Sequence, residues 1–139
     1  MPFTPLHMGP GAAIKAVMQS RFSLMVFGWS QVVIDLQPLY AMLGGDVALH
    51  GVSHTLAGAT LIALFCGATG KWLGEFGLRI LREPEHLPIS MRVSFASAFI
   101  GTYSHILIDS IMHGDVLPLA PFSKATLYNI ISIDALHVA

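Results

Sequence analysis

Long apolar runs separated by short polar breaks set the outline of the chain. Residues 1–11, MPFTPLHMGPG, hold three prolines and two glycines and read as an ordered entry loop rather than a helix. Residues 12–19 read as a short helix, and Gln19-Ser20-Arg21 interrupts the apolar pattern as a turn. Residues 22–43 form a long apolar stretch with Gln31 and Asp35 inside it, and Pro38 is expected to kink or end its regular part. Gly44-Gly45-Asp46 is a loop. The segment HGVSHT (50–55) then leads into residues 56–72, which are apolar and rich in small residues such as Ala57, Gly58, Ala63, Gly67 and Gly70. Small residues let neighbouring helices approach closely, as membrane helices favour. Residues 71–92 are the only charge-dense region and hold two prolines, and read as a solvated connection with a short helix near 76–81. Residues 93–112 form the next long helix, 113–123 a loop with two prolines, and 126–139 the start of another helix. Strand signals are weak. The pattern predicts an all-α fold, a single domain over 1–139 built as a bundle of about five helices. The last helix ends without a cap or polar tail, so the natural chain is expected to continue.

Composition moves this picture toward a membrane. The chain is 54% hydrophobic and 11% charged, where about 25% charged is usual for soluble domains. A membrane-embedded or membrane-associated bundle, or a very apolar interior, is expected. The net charge of −1 favours no nucleic acid partner. Cys66 is the sole cysteine, which excludes an internal disulfide and a thiolate metal site within one chain. No basic segment leads directly into an apolar core and a small-residue cleavage site, so no cleaved signal peptide is expected. A span needs about 20 apolar residues. Residues 22–43 and 93–112 qualify, 56–70 are short, and 12–19 cannot span, which would make the first helix re-entrant or interfacial. Residues 71–92 hold four of the seven basic residues, Lys71, Arg79, Arg82 and Arg92, and belong on the cytoplasmic side by charge bias.

The candidate chemistry lies in YSHILIDSIMHGD (103–115). His105, Asp109 and His113 are four apart, which on a helix stacks them along one face at roughly 6 Å per step. The neighbouring Ile, Leu, Met and Ser residues supply no counter-charge, and a desolvated carboxylate needs a partner. Heights along the other segments bring more donors to this level. With Arg21, Lys71 and Arg92 at one end of the bundle, His7, Asp35, His54, His105 and Asp109 all lie roughly 20 to 25 Å away. His50 accompanies His54. A metal site near one end is therefore expected, with His7, Asp35, His50, His54, His105, Asp109 and His113 as ligands. Histidine and aspartate without cysteine favour zinc, with manganese or iron as alternatives, and the donor number suits one or two ions. An acid left unligated, Asp115 or Asp35, would serve as the catalytic base. The plainer readings are a buried His–Asp hydrogen bond inside the bundle, and Ser53 and Thr55 as helix caps. His86 reads as a solvated loop residue, and Asp134 and His137 as the weakest metal candidates.

MPFTPLHMGPG, SQVVIDLQPLY, HGVSHTLAGAT, YSHILIDSIMHGD and LPLAPFS together resemble the YdjM-like family of inner-membrane metal-dependent hydrolases, from residue 2 to about 137. The resemblance implies a helical, membrane-associated protein with a metal centre and leaves the substrate open. A more distant similarity is to zinc-dependent phospholipase C and related nucleases, which carry an N-terminal ligand and His/acid pairs on helices. His50 and His54 would stand for the second pair, without its glutamate, a departure from the three-zinc pattern. The expected function is hydrolysis of phosphoester or ester bonds in a lipid-like or other amphipathic small-molecule substrate. Membrane lipid is the expected partner, and an oligomer is compatible with the sequence. The location implied is a bacterial inner membrane with the site on the periplasmic side. Two alternatives stay open: a metal-binding membrane protein without hydrolysis, and a structural helical subunit whose His and Asp residues pair internally.

Overall fold

The chain is described by a computed structural model covering residues 7–45, 47–128 and 130. It is all-helical, with no strand among the described residues. The helices are α1 (Met8–Met18), α2 (Leu24–Ile34), α3 (Leu36–Met42), α4 (Leu56–Ile80) and α5 (Met91–Met112). Helices α2, α4 and α5 pack against one another as the body of the bundle, and α1 lies on α2.

Several boundaries depart from the sequence pattern, each for a local reason. Helix α1 begins at Met8, inside the expected entry loop, because Pro10 falls in its first turn, where a missing N–H costs nothing. The 22–43 stretch is not one helix. It breaks at Asp35, between α2 and α3. Pro38 acts one turn upstream of itself: it offers no N–H to the Ile34 carbonyl, and its ring crowds that carbonyl. The expected solvated connection is also shorter. Helix α4 runs unbroken to Ile80, and the connection is confined to residues 81–90. Lys71, Glu75 and Arg79 are four apart, so opposite charges meet along the helix instead of ending it. Glu75 also accepts from the Ile89 backbone N–H at 3.1 Å, and Lys71 donates to the Ile89 carbonyl at 2.9 Å, tying the connection onto α4. The helix expected from Thr126 lies largely outside the described residues, as do Asp134 and His137; Thr126, Leu127 and Tyr128 are not helical.

Span lengths change accordingly. Helix α2, at 11 residues, cannot cross a bilayer. Among the described residues one helix is long and apolar enough to do so, Leu56–Ile80, the stretch that the sequence pattern made too short. Only 33% of its most apolar window is buried. Leu61, Phe65, Trp72, Phe76 and Ile80 are exposed along it, at spacings of four and seven that form one outward stripe.

The core has two parts. Val26, Cys66, Leu78, Ile89 and Ala98 fill the end near the 81–90 connection, and Ile34, Ala59, Ile106 and Val116 fill the other. Between them the helices meet through small polar residues. Ser94 donates to the Gly67 carbonyl at 2.8 Å, and Ser97 accepts from the Ser23 N–H at 2.9 Å. Gly101 of α5 has to be glycine for α2 to come this close: a Cβ there would stand 2.0 Å from Ser30 Oγ.

Candidate metal centre

The second part of the core ends in a polar cluster drawn from four separate stretches of chain. His7 comes from the residue preceding α1, Asp35 from the α2–α3 break, and His50 and His54 from the segment before α4. His105 and Asp109 come from adjacent turns of α5. Helix α2 carries Asp35 to this depth, and the helix breaks at that residue. The His50–His54 segment is fixed on both sides. Gln37 of α3 accepts from the Ser53 N–H at 2.9 Å and donates to the Ala48 carbonyl at 3.2 Å. Thr55 caps α4 by accepting from the Gly58 N–H at 3.1 Å, and Leu56 donates its N–H to the Pro118 carbonyl at 2.8 Å. Of the two expected caps only Thr55 takes that role; Ser53 Oγ lies 2.8 Å from His54 Nδ1.

Asp109 is the hub. Its Oδ1 lies 3.0 Å from His7 Nε2, and its Oδ2 lies 3.2 Å from both His54 Nε2 and His105 Nε2 and 4.0 Å from His50 Nε2. His105 Nε2 is also 3.3 Å from Asp35 Oδ1. The rings of His7 and His105 stack at 4.2 Å, 15° from parallel. His7, Asp35, His54, His105 and Asp109 are all buried. Three overlapping sets bring ligand atoms within 4.8 Å of one another: His7, His105 and Asp109; Asp35, His54 and His105; His50, His54 and Asp109. The six donors that helical heights placed at one level do converge.

Proton placement shows why this cluster suits a cation. Gln31 donates its Nε2 to the Gly101 carbonyl at 2.9 Å, so its Oε1 is the atom facing His105 Nδ1 at 2.7 Å. His105 therefore donates from Nδ1; burial pulls its pKa down, but the Asp109 and Asp35 carboxylates outweigh that and push it up to about 9. A positive charge thus belongs at its Nε2 toward those oxygens, a proton or, in its place, a cation. His105 Nε2 and His54 Nε2, on residues 1% and 0% exposed, make no hydrogen bond. Two buried acceptors held at 3.2 Å repel unless a positive charge lies between them. Separations of 3.2 and 3.3 Å also match the roughly 3.3 Å edge between ligands of a tetrahedral ion with bonds near 2.0 to 2.1 Å. The residues present fit a divalent cation.

His50 follows the same logic at the rim. Its Nδ1 lies 2.9 Å from Asp115 Oδ2. Burial pushes the Asp115 carboxyl up, but the His50 hydrogen bond and charge outweigh it and hold the group below its usual range. An ionised Asp115 only accepts, so His50 donates to it from Nδ1 and turns Nε2 toward Asp109. This is the outer carboxylate that commonly orients a ligating histidine. Burial holds His54 below its ordinary value, against the pull of Asp109, so it stays neutral.

His113 does not take the position that its spacing predicted. Helix α5 ends at Met112, and His113 is extended (φ −126°, ψ 122°), so it leaves the face shared by His105 and Asp109. It belongs to none of the three donor sets; its ring stacks on His50 at 4.8 Å, and burial lowers its pKa. Asp35 sits inside the donor cluster, whereas Asp115, with 56% of its side chain exposed, stands at the edge beside His50. Gln31 and Gln37 had no assigned task in the sequence reading. The available signal was Gln31 lying four residues before Asp35 in an otherwise apolar run. A further set, Glu83, Glu85 and His86, is exposed in the distant 81–90 connection, as expected for His86. Comparisons with family models, curated proteins and solved structures found no match to this chain.

Proposed function

We propose that the protein is a membrane-embedded, metal-dependent hydrolase acting on phosphoester or ester bonds of a lipid-like or other amphipathic substrate. The observation that carries the reading is the pair of buried imidazole nitrogens, His54 Nε2 and His105 Nε2, that lack hydrogen bonds and face Asp109. His7, Asp35, His50, His54, His105 and Asp109 supply the ligands, and their nitrogen and oxygen character favours zinc. A bound cation of this kind polarises the oxygen of the scissile bond and acidifies a coordinated water. The chain's own part is to hold neutral imidazoles in fixed tautomers through Gln31 and Asp115, and to exclude bulk water around them. Asp115, at the exposed edge, is placed to accept a proton from a water entering there.

The membrane part rests on Leu56–Ile80 and its outward apolar stripe. The sequence resemblance to the YdjM-like family supports both the membrane and the metal. By charge bias residues 71–92, with Lys71, Arg79, Arg82 and Arg92, face the cytoplasm of a bacterial inner membrane, and the metal centre faces the periplasm. A second reading, a metal-binding protein without hydrolysis, is favoured by the near-complete burial of the ligands.

The test is elemental analysis of detergent-purified protein beside His105→Ala and Asp109→Ala, with circular dichroism to confirm folding. Bound zinc in the wild type, lost in both folded variants, supports the centre. Release of the protein from membranes by alkaline carbonate would refute the embedding. A metal-loaded protein that turns over no phosphoester or ester would leave the non-hydrolytic reading in place.

A further inference from the structure

The end of the bundle away from the donor cluster holds a cleft that the proposed chemistry does not use. It opens between the α1–α2 turn and the 81–90 connection and has a volume of about 490 Å³, within the range of ligand sites. Phe22, Met25, Leu78, Leu87 and Val93 give it apolar walls. A second, more open cavity of about 400 Å³ adjoins it, and the two share Lys15, Ser20, Glu85 and His86. Lys15 is half-buried and stands at this junction. Val93 of the cleft and His105 of the metal centre are twelve residues apart on α5, roughly 18 Å by helical rise, so the two sites are separate.

Lys15 is held in place without being neutralised. Its Nζ donates to the Gln19 and Phe22 carbonyls, each at 3.0 Å, and no carboxylate among the described residues forms an ion pair with it. An ammonium has three donors, so one remains. The turn that supplies these carbonyls is strained: Gln19 stands at φ 47°, in the left-handed region that favours glycine. Strain of this kind persists where the surroundings fix it, and it collects at ligand clamps. Glu85 does not offset the charge, since 75% of its side chain is exposed and its ion-pair partner is His86, at 3.9 Å. Six of the seven Lys and Arg residues lie at this end, Lys15, Arg21, Lys71, Arg79, Arg82 and Arg92. Among the described residues the acids there are three, Glu75, Glu83 and Glu85.

We propose that this cleft binds one anionic membrane lipid, its head group on Lys15 in the outer cavity and an acyl chain along the apolar walls. The inference rests on the membrane part of the reading above and is independent of the metal. Leu78, on the cleft wall, lies two residues before the end of the helix long enough to span, which puts the cleft at the level of a bilayer's polar boundary. The excess of basic residues at this end matches the leaflet that carries anionic lipids, the cytoplasmic one by charge bias. A zwitterionic head group would bring a cation of its own toward Lys15, and a free anion would leave the apolar walls in water. The lipid is a resident ligand and not the substrate, because the residues of the metal centre lie at the other end.

The experiment is native mass spectrometry of the delipidated full chain in a neutral detergent, titrated with phosphatidylglycerol or with phosphatidylcholine of the same chains. Wild type, Lys15→Gln, Ser20→Phe and Arg79→Gln are compared, each checked for folding by circular dichroism. One phosphatidylglycerol per wild-type chain is expected, held more tightly than phosphatidylcholine. Lys15→Gln should bind it about 10-fold more weakly, the loss of one charge-assisted hydrogen bond. Ser20 is exposed and lines both cavities, so Ser20→Phe fills the mouth without touching the core and should abolish binding, which covers the case of a misfolded Lys15→Gln. Arg79→Gln removes an equal charge outside the cleft and should bind as wild type does. Equal binding of the two lipids, undiminished binding in Ser20→Phe, or equal losses in Arg79→Gln and Lys15→Gln would each overturn the assignment. So would displacement of the lipid by inorganic phosphate, which would make the ligand a free anion. Release by alkaline carbonate of a chain that still binds phosphatidylglycerol would refute the embedding and leave the cleft standing. A carbonate-resistant chain that binds none would remove the cleft alone.

Discussion

Gln31→Leu isolates the part of the centre that touches no metal. Gln31 is 6% exposed and makes two buried hydrogen bonds, accepting from His105 Nδ1 at 2.7 Å and donating to the Gly101 carbonyl at 2.9 Å. Leucine keeps the bulk and the helix propensity and removes both. The His105 Nδ1–H is then left buried without this partner, at a cost of about 1–3 kcal/mol, while the Gly101 carbonyl keeps the Ser104 hydroxyl at 3.0 Å. The metal-free protein should lose on the order of 1–3 kcal/mol. A second effect separates positioning from packing. With its tautomer no longer fixed, His105 can place its proton on Nε2, where it blocks ligation. Loss of such an outer hydrogen bond lowers metal affinity about 10- to 100-fold, or about 1.4–2.7 kcal/mol. The assay is zinc competition against a chromophoric chelator, alongside thermal unfolding in excess EDTA. Gln31→Glu keeps an acceptor for His105 and should recover most of the affinity while still losing the bond to Gly101. Wild-type zinc affinity in a Gln31→Leu protein that is clearly less stable would refute the tautomer argument and leave Gln31 as a packing residue.

Other expectations follow from the same geometry. Burial lowers the His54 pKa, so the unfolded chain binds more protons than the folded one below the ordinary histidine value of about 6.5. Stability of the metal-free protein should fall as pH drops from about 6.5 toward 5, below the range in which His105, raised to about 9 by the Asp109 and Asp35 carboxylates, acts in the opposite sense, and His54→Gln should flatten that dependence in denaturant titrations. Gly101→Ala would put a Cβ 2.0 Å from Ser30 Oγ and force α2 and α5 apart. It should cost about 1–3 kcal/mol by overpacking, measured as a lower thermal midpoint, with partial recovery in the Gly101→Ala, Ser30→Ala double variant.

The donor cluster was legible because helical rise converts residue number into height. Counting from Arg21, Lys71 and Arg92 put His7, Asp35, His54, His105 and Asp109 at one level without any knowledge of packing. The count still placed Asp35 near the right depth although the helix containing it breaks, because the break falls at Asp35 itself. His113 defeated the same count: its spacing from Asp109 is helical, but α5 stops one residue before it. Helix ends depend on tertiary partners, here a loop that returns over the site and bonds Pro118 to Leu56. The extent of α4 was hidden for a related reason. Lys71, Glu75 and Arg79 look like a solvated connection by composition, yet they neutralise one another along the helix and bond the 81–90 connection. The task of Gln31 depends on the carbonyl of Gly101, a partner 70 residues away that no local pattern announces.

The contact between His7 and Asp109 joins residues 102 positions apart. Cys66 has no second thiol with which to close a covalent loop. A cation held by His7 and Asp109 would act as that missing cross-link. It would restrict the unfolded chain to the extent that it stayed bound there, and a tie closing a loop of about 100 residues is worth up to about 4.7 kcal/mol in chain entropy by the disulfide analogy. The residue preceding the first helix and the last turn of the fifth would then be fastened together by an ion, so that a bound cation would hold the two ends of the described fold to each other.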